Sequence, residues 1–284
     1  FVILPAADCD VDQLGGQRIY DRAGSSLADA TTKSAIYVYG ANHNFFNTVW
    51  AADWDDCGSL MRQDYIVAAN QQRLGEAYLA AFHRAALLSE SIYDNMLRNG
   101  LVFPSTAGYK IYGVRHETNH AKLLSGGVPA GLAAAGGATL VTATNPTPHQ
   151  TVATQAAWPM SAATVTYTIP GGPANASGFE VISFRVAQTL APANPANTNQ
   201  NFQVELIGGG ITRAVYVGQF DLIPPRYPHP EGYQHTVMTT VRVPLHSFVM
   251  NNSGLPLSSI DTIRFRFISP TTGDIYVDDV EFSR

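Results

Sequence analysis

At 284 residues the chain is long enough for two domains of roughly 100–200 residues each. Only 14% of its residues are charged, the formal net charge is −5, and there is no Lys/Arg run that could follow a phosphate backbone, so nucleic-acid binding is not expected. No apolar run reaches the roughly 18–20 residues of a transmembrane helix, and the polar, weakly charged composition favours a secreted, periplasmic or cell-surface protein.

The first 40 residues have the pattern strand, helix, strand. Residues 1–8 begin as an apolar run, 13–23 are compatible with a helix after a glycine turn, and 34–39 form a second apolar run that ends at Gly40. This order predicts a βαβ unit in a parallel sheet. Because the first strand is already under way at Phe1, we expect the chain to be one portion of a longer product.

The clearest helix is predicted over residues 71–88, where apolar residues recur at helical spacing on one face. A shorter helix is predicted over 89–98, ending at Asn99-Gly100. Residues 101–145 mix short apolar pieces with Gly and Ala clusters, so they are assigned as an irregular linking segment.

After residue 146 apolar and polar residues alternate with period two. The alternation is clear over 182–186, 202–206, 241–245 and 263–267, and further short strands are predicted near 275–277 and 280–282. Such strands, separated by Gly, Pro and Asn turns, predict an antiparallel β-sandwich. The predicted domains are therefore 1–100, the linking segment 101–145, and a sandwich over 146–284.

Acidic residues follow the first predicted strand, and a histidine follows the second. The acids are Asp8, Asp10 and Asp12, and the histidine is His43. In an open α/β sheet, active groups lie in the loops at the carboxyl ends of strands. An acid followed by a histidine is the second half of the chain order Ser…Asp…His, in which the carboxylate orients an imidazole that takes a proton from a hydroxyl.

The segments 4–11 (LPAADCDV) and 39–50 (YGANHNFFNTVW) resemble exported bacterial α/β-hydrolases related to lipases, cutinases and dienelactone hydrolases. The resemblance implies that His43 is the catalytic histidine and Asp10 the acid, with Asp8 and Asp12 as rivals for that role. It implies a fold made of the last strands and helix of an α/β-hydrolase sheet, joined to an all-β jelly-roll sandwich. Phe45 and Trp50 are expected to border the site.

The nucleophile of such hydrolases lies in a Gly-x-Ser-x-Gly turn, which this sequence does not contain. We therefore expect a companion chain to supply the serine, the oxyanion hole and the remaining strands. The interpretation is a serine hydrolase that acts on ester substrates and needs no cofactor. The alternative is a non-catalytic structural, surface-binding or assembly protein on a degenerate hydrolase scaffold with an adhesive sandwich.

Two cysteines, Cys9 and Cys57, favour one disulfide in an exported chain, although two unpaired buried thiols are the alternative. Such a bridge would tie the acid loop to the segment after His43.

Two further sequence patterns are typical of metal sites, but each is weaker evidence than the pattern around His43. His116-Glu117-Thr118-Asn119-His120 matches H-E-x-x-H, but it lies in a poor helix candidate, so we take it as a chance match. Asp278-Asp279 resembles the closing strand of galactose-binding-like jelly rolls, which often hold a structural Ca²⁺; the alternative is an ordinary solvated acidic turn.

Overall fold

The computed structural model describes residues 1–23, 31–50, 65–98, 103–144, 152–195, 197–250 and 253–284. The chain divides into two compact units. The first consists of Phe1–Thr118 with Tyr227–His235, and the second of Asn119–Pro146, Thr151–Arg226 and Thr236–Arg284, in their described parts. The predicted linking segment 101–145 is thus shared between the units, and it contains regular strands instead of irregular structure.

The elements are as follows. The helices are α1 (Gly15–Arg22), α2 (Ala68–Leu88), α3 (Ser91–Leu97) and the short α4 (His246–Val249). The first eight strands are β1 (Val2–Pro5), β2 (Lys33–Val38), β3 (Ile111–His116), β4 (His120–Leu124), β5 (Leu132–Ala135), β6 (Thr139–Ala143), β7 (Ala153–Trp158) and β8 (Ala163–Thr168). The other strands are β9 (Val181–Gln188), β10 (Gln203–Gly208), β11 (Ile211–Tyr216), β12 (Tyr227–Pro228), β13 (Gln234–His235), β14 (Thr239–Pro244), β15 (Thr262–Phe267) and β16 (Gly273–Ser283).

The first unit contains a three-stranded sheet in the order β1-β2-β3. β1 pairs parallel to β2, with Val2 opposite Ala35, and α1 connects them, so the expected strand–helix–strand order is present. β3 pairs antiparallel on the other side of β2, which the prediction of a parallel sheet did not include. The α/β-hydrolase sheet that the resemblance implied is therefore not shown by the described strands.

Helices α2 and α3 provide much of the apolar core of the first unit. Leu74, Tyr78 and Ala81 of α2 are buried at helical spacing and pack with Ile36 and Val38 of β2. α2 ends where Ser89 takes a left-handed conformation with φ of 55°. Within the described residues, none of the helices is long and apolar enough to cross a membrane.

The second unit is a β-sandwich of two antiparallel sheets. One sheet has the order β11-β10-β15-β8-β5, and the other has the order β14-β9-β16-β7-β6, with β4 also pairing with β16. The coarser prediction of an all-β sandwich in this part of the chain is confirmed. Its alternating strands bury one face of each sheet, because successive side chains of a strand point to opposite faces.

Aromatic side chains from both sheets interlock in the sandwich core. Trp158 of β7 stacks on Phe267 of β15 with ring centroids 3.9 Å apart, and Phe184 of β9 meets Phe265 of β15 edge to face at 5.3 Å. These buried rings fix the spacing of the two sheets. The residues that alternate with these inward-pointing rings along each strand therefore lie on the outer faces of the two sheets.

Candidate functional site

The acid loop that follows β1 is organised around Asp8. The Asp8 side chain is buried, and its Oδ1 accepts backbone N–H groups from Asp10 at 3.1 Å and from Val11 at 2.7 Å. A carboxylate that accepts bonds from the next residues closes a tight turn. Asp8 thereby shapes the loop in which all three candidate acids lie.

The loop that follows β2 brings His43 next to Asp8. His43 Nδ1 lies 3.1 Å from Asp8 Oδ2 and 3.2 Å from Oδ1. The neighbouring Asn42 is locked by Gln71 of α2, whose amide accepts from the Asn42 N–H at 3.1 Å and donates to its carbonyl at 2.7 Å. The parallel pairing of β1 and β2 accounts for the meeting of the two loops, because the carboxyl ends of both strands lie at one edge.

The structure places Asp8 beside His43, in the position that the resemblance gave to Asp10. Asp10 is exposed and uses its backbone N–H to bind Asp8. Asp12 is half-buried, and its carbonyl accepts from the Tyr233 hydroxyl at 3.4 Å. Asp8 is the acid closest to the end of β1, and that position is the sequence signal that distinguishes it from its two rivals.

Sequence reasoning missed a second histidine at this loop. His229, fully buried on the segment between β12 and β13, lies with Nε2 3.1 Å from the Asp8 carbonyl. The Glu231 N–H donates to Nδ1 at 3.3 Å, which assigns the ring proton to Nε2 and makes Nε2 the donor to Asp8. The Tyr233 ring stacks on His229 with centroids 4.2 Å apart. A separation of 221 residues leaves no local signal for this contact.

A cleft of about 250 Å³ opens beside His43 and Asp8. Apart from these two residues its lining is almost entirely apolar or glycine, including Ile3, Leu14 and Phe46. Phe46 borders the cleft, whereas Phe45 and Trp50, which were expected there, are not among its lining residues. Phe45 is buried and Trp50 is exposed. A catalytic role for His43 stays an untested prediction.

Cys9, His229 and Glu231 are close enough together to suggest a metal site, with candidate ligand atoms within 4.8 Å of one another. Cys9 is disulfide-bonded, however, and a metal-binding cysteine must be a thiolate. These residues therefore do not fit a metal centre. The predicted partner Cys57 lies outside the described residues, so the Cys9–Cys57 pairing stays a prediction.

The H-E-x-x-H segment is not helical. His116 ends β3 and His120 begins β4. Burial alone would raise the pKa of Glu117, but hydrogen bonds and charge from Arg98 and Arg115 outweigh that effect and lower it. A carboxylate held by two guanidinium groups is a poor general base, so Glu117 does not suit the role that the motif would give it, and the chance match stays a prediction.

The acidic pair near the chain end lies on a β-bulge of β16. The Asp278 carboxylate accepts N–H groups from Gly126 and Asp279, each at 2.8 Å. Asp279 lies 3.3 Å from Lys122 Nζ and 3.6 Å from an Arg185 nitrogen. Cations already neutralise Asp279, so these contacts do not favour the structural Ca²⁺ site expected at Asp278 and Asp279, which stays untested.

The outer face of the five-stranded sheet carries a second candidate site. Glu205 of β10 lies opposite Arg264 of β15 in the register, and its buried carboxylate accepts from the Arg264 guanidinium. Arg266 lies two residues along the same face, with Nη1 3.6 Å from the other Glu205 oxygen. The side chains of Arg264 and Arg266 are 31% and 44% exposed, so they present hydrogen-bond donors to solvent.

Small polar residues and one tyrosine surround these arginines. Thr166 lies beside Arg264 on β8, and Thr164 lies beside Arg266. On the other side, Gln203 of β10 lies opposite Arg266 and pairs across to Tyr216 of β11. We call this face of Thr164, Thr166, Gln203, Glu205, Tyr216, Arg264 and Arg266 the arginine face. It combines donors, acceptors and an amphipathic ring on a rigid sheet.

Comparison with known proteins gives a likeness of fold. Neither a family model nor a curated protein matches the chain. A family 11 carbohydrate-binding module of a cellulosomal cellulase of Clostridium thermocellum matches 58% of this chain and 94% of its own, with 16% identity and a TM-score of 0.37. A family 30 carbohydrate-binding module matches 58% and 98%, with 12% identity and a TM-score of 0.45.

These comparisons correct the functional interpretation of the sequence. The two solved structures named above are carbohydrate-binding modules, not lipase-like esterases, and the described strands do not form a hydrolase sheet. The prediction of a serine ester hydrolase with a Ser-His-Asp triad is therefore wrong, and a companion hydrolase chain is not supported.

Proposed function

We propose that this chain is a non-catalytic binding protein whose β-sandwich binds carbohydrate on the arginine face. The ligand class comes from the carbohydrate-binding modules named above, and the site comes from the residues of this chain. The observation that carries the proposal is the row of two partly exposed guanidinium groups over a buried Glu205. An extracellular location, consistent with such a role, is part of the proposal.

The chemistry of the arginine face suits sugar hydroxyl groups. A hydroxyl can both donate and accept, and here guanidinium donors lie beside threonine hydroxyls and the Gln203 amide. Tyr216 adds a ring with an apolar body and a polar tip, which can cover the C–H surface of a sugar. Because Glu205 already holds the Arg264 guanidinium by a hydrogen bond, this side chain has little freedom left to lose on binding.

Affinity gel electrophoresis with a panel of neutral and acidic soluble polysaccharides tests the proposal. We expect at least one polymer to retard the protein, and Arg266→Ala to weaken binding about tenfold, the effect of losing roughly 1.4 kcal/mol of hydrogen bonding. Arg213→Ala is the matched control, since this arginine of β11 instead bonds the carbonyls of Thr212 and Ser253. If no polymer retards the folded protein, the proposal fails.

A further inference from the structure

The outer face of the five-stranded sheet, which contains the arginine face, carries a net positive charge. In the described strands, the register places fourteen residues on this outer face: Ala133, Ala135, Thr164, Thr166, Thr168, Gln203, Glu205, Ile207, Thr212, Ala214, Tyr216, Thr262, Arg264 and Arg266. Two of these side chains are guanidinium groups and one is a carboxylate, so the formal charge is +1. The whole chain, by contrast, carries −5. The face is a local positive region on an acidic protein.

The exposed groups carry the positive charge, and the negative group is hidden. Only 2% of the Glu205 side chain is accessible, whereas Arg264 and Arg266 remain partly open to solvent. A ligand that approaches the sheet therefore meets guanidinium N–H groups first. The Glu205 carboxylate is hydrogen-bonded to Arg264 and lies 3.6 Å from an Arg266 nitrogen, so it fixes the Arg264 guanidinium without cancelling the charges of both arginines.

We infer that the arginine face selects an acidic polysaccharide, one whose sugar units carry carboxylate groups, an inference that rests on the proposed carbohydrate-binding function. Arginine matches a carboxylate through two parallel N–H donors, a geometry that a neutral hydroxyl does not use. Arg264 and Arg266 lie on one face of one strand, about 7 Å apart along it, so two acidic units of one chain can be bound together. The threonines and Tyr216 would contact the rest of each sugar.

The test is isothermal titration of the full chain with polygalacturonate, with the same polymer after reduction of its carboxyl groups, and with a neutral mixed-linked β-glucan. We expect polygalacturonate to bind at least tenfold more tightly than the other two polymers. Its affinity should fall as salt rises, because exposed charges are screened. Arg266→Gln should lower this affinity about tenfold, Arg264→Lys should lower it while keeping the charge, and Arg213→Gln should leave it unchanged.

The outcomes separate the inference from the function on which it rests. Equal binding of the reduced polymer or the neutral glucan would overturn selection for acidic sugars but keep carbohydrate binding. Absence of binding to all three polymers would overturn both. Poly-L-glutamate serves as a polycarboxylate without sugars; if it bound as tightly as polygalacturonate, the site would recognise charge alone and the inference would fail.

Discussion

At the scale of single residues, the structure makes Asp8 the organiser of the acid loop. Its buried carboxylate accepts two backbone N–H groups and faces His43. We expect Asp8→Ala to lower the free energy of unfolding by about 1–3 kcal/mol, because the N–H groups of Asp10 and Val11 lose their acceptor in a partly buried turn. Asp10→Ala, at an exposed neighbouring position, should change it by less than about 0.5 kcal/mol. Urea unfolding of both variants measures the difference, and equal losses would contradict this account.

His235, in the hairpin of the first unit, gives a prediction of pH dependence. Burial, and then the nearby His229, lower the pKa of His235 to about 4. In the unfolded chain the imidazole takes up a proton near pH 6.5, so the unfolded state binds more protons as the pH falls from 6.5 to 4. The free energy of unfolding should therefore fall over that range, by up to about 1.4 kcal/mol per pH unit.

The His235→Gln variant tests this linkage through unfolding at pH 7 and at pH 4.5. The variant should lose less stability than the parent protein between the two values, because it has no imidazole to protonate. An identical loss in both proteins would show that His235 is not the group responsible.

At the scale of elements, β7 packs so closely against β16 that position 273 has no room for a side chain. A Cβ on Gly273 would lie 2.8 Å or less from Trp158 and Gln200 side-chain atoms. Since Trp158 is stacked on Phe267 in the core, it has little room to move. Gly273→Ala should therefore destabilise the protein by about 1–3 kcal/mol, as overpacking does in dense cores.

Gly178 is the matched control for this substitution. A Cβ there would meet open space, so Gly178→Ala should be neutral within about 0.5 kcal/mol. Thermal unfolding of both variants checks the contrast. A neutral Gly273→Ala would mean that the sheets are packed more loosely than described.

The sequence predicted elements better than it predicted pairings. Alternation over 263–267 matched β15, and the helical spacing over 71–88 lay within α2. The antiparallel β3 was missed, because Gly113 interrupts its short apolar run and the strand is completed only by its pairing with β2. Local pattern reports which residues are apolar, but strand order depends on contacts distant in sequence.

At the scale of the whole molecule, the sequence predicted site contacts between neighbouring elements but not contacts between distant segments of the chain. The proximity of the acid loop and His43 followed from adjacent parallel strands, which sequence order predicts. His229 could not be predicted, since its segment joins the first unit from a distant part of the chain. The alternation of apolar and polar residues over 263–267 already placed Arg264 and Arg266 on the polar face of a strand. Their contact with Glu205, however, depends on the register of β10 and β15, which the sequence does not show. Likeness of two short loops to hydrolases did not establish function.

The central claim is that carbohydrate contacts the arginine face, and side-chain NMR of the arginine Nε–H groups tests it most directly. On titration with polygalacturonate, we expect the Arg264 and Arg266 signals to shift and saturate, while those of Arg213 and of Arg115 in the first unit stay in place. Saturable shifts confined to other arginines, or unchanged signals from Arg264 and Arg266 while the polymer is bound, would contradict the account.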